Sequence, residues 1–225
     1  MNRIVVMNLL VIGVLLPILS YYNTNASNNG IILDTTRYDP KFNWYNTNGS
    51  LPIIKDNTVV FTGSNRTDMY QDAISIVSIR GNTFELYANV SFIINEYSNN
   101  PKDEFAIFAT SNTVTYDKHE FGFVLPENDN ILYAYIQSPE IDGFFIWKPI
   151  LYVSNNEEYI LKAVYNKGTS DILFYVNDIL VWHTNFIRLD DNMHLAIVSH
   201  KISNESIDIS NNKIIIKEAY LSSNI

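Results

Sequence analysis

Apolar and polar residues alternate along much of this chain with a period of two. The clearest case is DILFYVNDILVWH, residues 171–183. Ile172, Phe174 and Val176 share one side of an extended chain, and Leu173 and Tyr175 share the other. Asn177-Asp178 interrupts the run. Both residue types tolerate the positive φ of a type I′ turn, which predicts a two-residue β-hairpin. Such a loop pairs Val176 with Ile179, Tyr175 with Leu180, Phe174 with Val181 and Leu173 with Trp182. With both faces apolar, the hairpin is expected to be central, between two layers.

Similar runs recur between polar turns. Strands are predicted at 31–36, 58–63, 73–79, 83–94, 104–110, 119–125, 131–138, 144–153, 158–166, 193–201 and 213–221. TDMYQDAI, residues 67–74, is the one stretch that could add a helical turn. Separators such as EYSNNPKD, PENDN, PEIDG and SNNEE carry turn chemistry. The pattern predicts an all-β chain of two packed antiparallel sheets, one domain over residues 27–225.

The succession EEYILKAVYNKGTSDILFYVNDILVWHTNF, then MHLAIVSHK, then KIIIKEAYL resembles the second half of concanavalin A-like lectin/glucanase domains. The resemblance spans roughly residues 84–221 and departs at the hairpin turn, where Asp178 replaces the usual Gly. It implies a jelly-roll sandwich whose concave sheet often holds carbohydrate.

Residues 1–26 read differently. One positive charge, Arg3, precedes the apolar run IVVMNLLVIGVLLPIL at 4–19, and Thr24-Asn25-Ala26 offers small residues for a signal peptidase. The run is short for a span of about 20 residues. A signal peptide cleaved near Ala26 is expected, with a retained N-terminal anchor as the alternative. Either way the body is expected to be secreted or at the cell surface, touching membrane only through 4–19.

Charge and composition narrow the function. The net charge of −9 and the lack of clustered Lys/Arg argue against nucleic acid as a partner. Cysteine is absent, which excludes thiol catalysis and Cys-ligated metal, and leaves stability to core burial. Sequons at Asn25, Asn48, Asn65, Asn89 and Asn204 are about as many as the asparagine-rich composition produces by chance.

Glycoside hydrolysis needs two carboxylates facing each other across a cleft. In the glucanases that the chain resembles, a Glu-x-Asp-x-x-Glu strand supplies them. Glu140-Ile141-Asp142-Gly143 lacks the final Glu and sits in a turn. Glu120 in HEFGFVL is followed on its face by Gly122 and Val124, so no partner carboxylate accompanies it. YILKAVYN, with Lys162 and Tyr165, resembles a strand of polysaccharide lyases. The arginines that could neutralise a uronate are few past residue 26: Arg37, Arg66, Arg80 and Arg188.

His119, His183, His194 and His200 have no metal-ligand spacing. No cofactor is expected, although Glu127-Asn128-Asp129-Asn130 and Asp190-Asp191-Asn192 could supply oxygens to calcium. What remains is aromatic surface. Tyr133, Tyr135 and Gln137 share one strand face, and a Trp147-bearing strand follows. Rings stack on the C–H faces of sugars while amides bind hydroxyls. The candidate ligand site is therefore Tyr133, Tyr135, Gln137, Trp147 and Glu120. Tyr133 and Tyr135 could instead be core aromatics, and the side to which Trp147 points is left open.

The expected function is an exported noncatalytic module, carbohydrate-binding or structural. The alternative is a carbohydrate-active enzyme, a glycoside hydrolase or polysaccharide lyase, with an atypical site.

Overall fold

The structure is a computed structural model. It describes residues 30–47, 51–63, 69–95, 97, 104–111, 118–127, 129–139, 141, 145–185, 188–189, 192–201 and 211–224. The run 4–19 and the sequons at Asn25, Asn48, Asn65 and Asn204 lie outside them.

Among the described residues the chain forms strands and no helix. In order they are β1 (Ile31–Ile32), β2 (Phe42–Thr47), β3 (Ile53–Lys55), β4 (Thr58–Thr62), β5 (Met69–Ser75) and β6 (Ile79–Arg80). Then come β7 (Thr83–Ile93), β8 (Glu104–Thr110), β9 (Glu120–Pro126), β10 (Ile131–Gln137) and β11 (Phe145–Tyr152). The last are β12 (Glu158–Asn166), β13 (Asp171–Val176), β14 (Ile179–Thr184), β15 (Asn192–Lys201) and β16 (Lys213–Asn224).

They build two antiparallel sheets. The first runs β14-β13-β12-β7-β16-β4-β3 with β1 on β16, and the second runs β11-β10-β9-β8-β15-β5-β2 with β6 on β15. The chain's last two strands each insert mid-sheet, so both sheets depend on contacts distant in sequence.

Period-two patterning sends one face of each strand between the sheets. Phe84, Leu86, Val90, Leu161, Phe174, Ile216 and Leu221 from the first sheet meet Phe105, Ile107, Phe121, Phe123, Ala134, Leu195 and Ile197 from the second. Phe123 and Phe174 cross the interface edge to face at 5.5 Å. A gap lined by Phe92, Phe105, Phe123, Leu161 and Ile214 is too narrow for water, so this part of the interior offers no ligand cavity.

The hairpin corrects its expectation in two ways. Asn177 and Asp178 do take left-handed φ values of 50° and 62°, as a type I′ turn requires. However, β14 is an edge strand, with Ile179 67% and Leu180 48% exposed, so the hairpin is peripheral. Only the Ile172, Phe174 and Val176 face is buried. The register also slips at a bulge after the first two pairs. Phe174 meets Trp182 and not Val181, and the two rings stack at 5.3 Å.

Other differences are local. Residues 69–74 of the suggested helical turn are strand, β5. The strand expected at 31–36 shrinks to β1, and β2 and β3 were not expected. The sequence FNWYNT of β2 is rich in asparagine, which strands disfavour. Asp56 and Asn57 form a second turn with positive φ, 52° and 58°, between β3 and β4.

Candidate functional site

The outer face of the second sheet carries the side chains that its strands do not send inward. Register lines them into rows across the strands. One row holds Ile74, Ala196, Phe108, Gly122, Tyr135 and Trp147. A parallel row holds His194, Thr110, Glu120, Gln137 and Phe145. On the other side lie Asp72, Val198, Ala106, Val124 and Tyr133, and beyond them Tyr70, His200 and Glu104.

All five expected site residues therefore share one face, and Trp147 points to the same side as Tyr135. Their exposures differ, and this divides their roles. Tyr135 is 2% exposed and belongs to a second apolar cluster with Ala106, Phe108, Val124, Ala196 and Val198. Expected as a stacking ring, it is closed floor. Burial, then the charges of Glu120 and Glu104, push its phenol well above the usual tyrosine range. Its hydroxyl donates to Gln137 Oε1 at 2.8 Å.

Gly122 makes that floor possible. A Cβ there would lie 2.0 Å from the Ile107 carbonyl oxygen. Without one, the Phe108 and Tyr135 rings lean together over the glycine.

Tyr133 and Trp147 flank the floor and stay partly exposed. Trp147 meets Tyr133 at 5.7 Å and Tyr135 at 5.3 Å, both edge to face. Its indole Nε1–H is buried without a hydrogen-bond acceptor.

The polar row has its own network. Glu120 Oε1 accepts from Thr110 Oγ1 at 2.8 Å and from Lys118 Nζ at 2.7 Å. Glu120 and Gln137 face one another across β9 and β10, each 5% exposed. Sequence reasoning missed Lys118 and Thr110. The i, i+2 spacing of Lys118, just before β9, and Glu120 was the available signal for the lysine.

No protein-family model matches the chain, and no curated protein matches it in sequence. Solved structures do match. The carbohydrate recognition domain of Emp47p superposes with a TM-score of 0.62, covering 90% of this chain and 100% of its own, at 9% identity. The Ca2+-bound exoplasmic/lumenal domain of VIP36 gives 0.61 over 83% of this chain and 85% of its own, at 10% identity. A prokaryotic beta-1,3-1,4-glucanase (lichenase) derived from a mouse hindgut metagenome gives 0.58 over 87% and 99%, at 10% identity. The chain has the concanavalin A-like jelly-roll fold. At such identities the likeness carries the fold and not the activity.

Within this jelly roll the remaining candidates fall apart as sites. Lys162 and Tyr165 of the lyase-like strand lie in the first sheet, away from the rows above. Tyr165 is fully buried in the core, while Lys162 points outward to Asp178 at 3.2 Å. Of the turn 140–143 only Ile141 is described, and it packs against the core.

Where they are described, the acidic turns are engaged by protein groups. Asp129 Oδ1 accepts from the Ile131 amide, Glu127 Oε2 from Asn212, and Asn192 Oδ1 from Arg80. Asn128, Asp190 and Asp191 lie outside the described residues. Among the described residues no three histidine or carboxylate groups gather to hold a metal ion.

Two histidines sit on the candidate face. His194 Nδ1 lies 2.8 Å from the Ser75 carbonyl oxygen, and burial lowers its pKa below the usual value. His200 Nε2 lies 3.0 Å from Asp72 Oδ1, and its ring packs edge to face on Tyr70 at 4.8 Å. Burial disfavours the imidazolium of His200, but Asp72's charge and hydrogen bond, with Glu104 beyond, outweigh it and raise the pKa.

Proposed function

We propose that this protein is an exported, noncatalytic carbohydrate-binding module whose ligand lies across the outer face of the second sheet. The observation that carries the reading is the partly exposed Tyr133–Trp147 corner, set over a closed apolar floor and beside the Thr110–Glu120–Gln137 row. Aromatic rings beside amide and carboxylate groups suit the two sides of a sugar ring, its C–H face and its hydroxyl edge. The likeness to a carbohydrate recognition domain and to a lumenal domain agrees with this, as does the apolar run at 4–19 with export.

The separation of Glu104 from Glu120 supports a noncatalytic role for that pair. Glu104 and Glu120 sit at opposite ends of the β8/β9 ladder, roughly six residues or about 20 Å apart along the strands. Hydrolysis of a glycoside requires separations of about 5–9.5 Å.

A second reading, a carbohydrate-active enzyme, has one observation in its favour. Asp72 and Glu104 both act on His200 from strands on either side of it. A glycan-array screen run beside a reducing-sugar release assay separates the two readings. Array signals without sugar release are expected. Release that Asp72→Asn and Glu104→Gln abolish would establish the enzyme.

A further inference from the structure

Resting on the carbohydrate reading, we infer that Glu120 and Gln137 form a subsite for a pair of vicinal hydroxyls, and that the face admits uncharged glycans while rejecting uronate-bearing ones.

The first ground is hydrogen-bonding capacity. Both bonds to Glu120 fall on Oε1, which leaves Oε2 to accept more. Gln137 uses its Oε1 for the Tyr135 hydroxyl, which leaves the Nε2 amide to donate. The two residues are cross-strand partners, so an acceptor and a donor stand side by side. Both residues are nearly buried, where a hydrogen bond counts for more than in water. A hydroxyl both donates and accepts, so two neighbouring hydroxyls answer such a pair.

The second ground is charge. Among the described residues of β5, β15, β8, β9 and β10, the carboxylates facing outward are Asp72, Glu104 and Glu120. Among the described residues of the same strands the basic groups facing outward are His200, His194, which burial holds toward its neutral form, and, just before β9, Lys118. His200 is engaged by Asp72 and Lys118 by Glu120. A uronate would meet Glu120's charge with no unengaged cation among these described groups to answer it.

Affinity electrophoresis tests this on the intact protein. The gels contain β-1,3-1,4-glucan and other neutral polysaccharides, or alginate and polygalacturonate, each at low and high salt. The key variant is Gln137→Glu, which keeps an oxygen for Tyr135 and removes the amide donor. Retardation by a neutral polysaccharide is expected, unchanged by salt because no ion pair is made. It should weaken at least tenfold in Gln137→Glu, and alginate and polygalacturonate should not retard the protein.

Retardation by the acidic polymers alone overturns the inference. So does wild-type binding by a folded Gln137→Glu, which leaves the carbohydrate reading standing. Should that variant fail to fold, Glu120→Gln, which replaces the charged acceptor by an amide, takes its place, and wild-type binding by a folded Glu120→Gln overturns the subsite in the same way. No retardation by any polysaccharide refutes the carbohydrate reading itself.

Discussion

Phe108 and Tyr135 stand two strands apart, yet their ring centroids meet at 5.2 Å above Gly122. The residue between them in the register, Gly122, places no side chain there. Gly122→Ala must displace the Ile107 backbone, so it is expected to cost about 4 kcal/mol or more. Tyr135→Ala empties the same floor and should cost about 3–5 kcal/mol. Tyr135→Phe leaves Gln137 without one partner and should cost only about 1 kcal/mol. Urea denaturation of the three variants measures this order. A Tyr135→Ala variant as stable as wild type would mean that the floor is not a packed cluster.

The two outward histidines of β15 should give pH dependences of opposite sign. His200 has a raised pKa, so its contribution is complete below about 6.5 and fades as pH climbs through its folded value. His194 has a lowered pKa, so its contribution is complete above about 6.5 and fades as pH falls through its folded value. The Tm difference between wild type and His200→Gln should therefore shrink toward alkaline pH, and that for His194→Gln should shrink toward acid. Parallel profiles for the two variants would contradict these environments.

At the hairpin, the bulge decides which residues matter. Trp182 stacks on buried Phe174, so Trp182→Ala is expected to lower stability by about 2–3 kcal/mol. Ile179 is exposed, so Ile179→Ser should change stability by about 0.5 kcal/mol or less. Thermal unfolding of the two variants checks the contrast, and a larger loss at Ile179 would argue for the unbulged register.

Much of the fold was legible because alternation is a local signal. The Asn177-Asp178 turn and the strand over 158–166 needed only period and turn chemistry. The bulge was not legible, because Leu180, Val181 and Trp182 are all apolar and any of them could face inward. Nor does periodicity say whether the outer face of a strand is wet. Tyr133 and Tyr135 are equivalent by pattern, yet Tyr135, opposite Gly122, is closed off and Tyr133, opposite Val124, stays partly exposed. The His200–Asp72 pair joins residues 128 apart in sequence, beyond the reach of any local motif.

Sugar is proposed to meet the Tyr133–Trp147 corner, and the indole N–H signals of the three tryptophans report on that contact directly. Trp44 donates its N–H to the Asp39 carbonyl, and Trp182 stacks on Phe174 in the other sheet. A 1H–15N correlation spectrum, assigned with Trp147→Phe, is titrated with neutral oligosaccharides including those of β-1,3-1,4-glucan. Saturable movement of the Trp147 signal with Trp44 and Trp182 unmoved is expected, and loss of that movement in Tyr133→Ala. Movement of Trp182 alone, or binding that leaves Trp147 still, would contradict it.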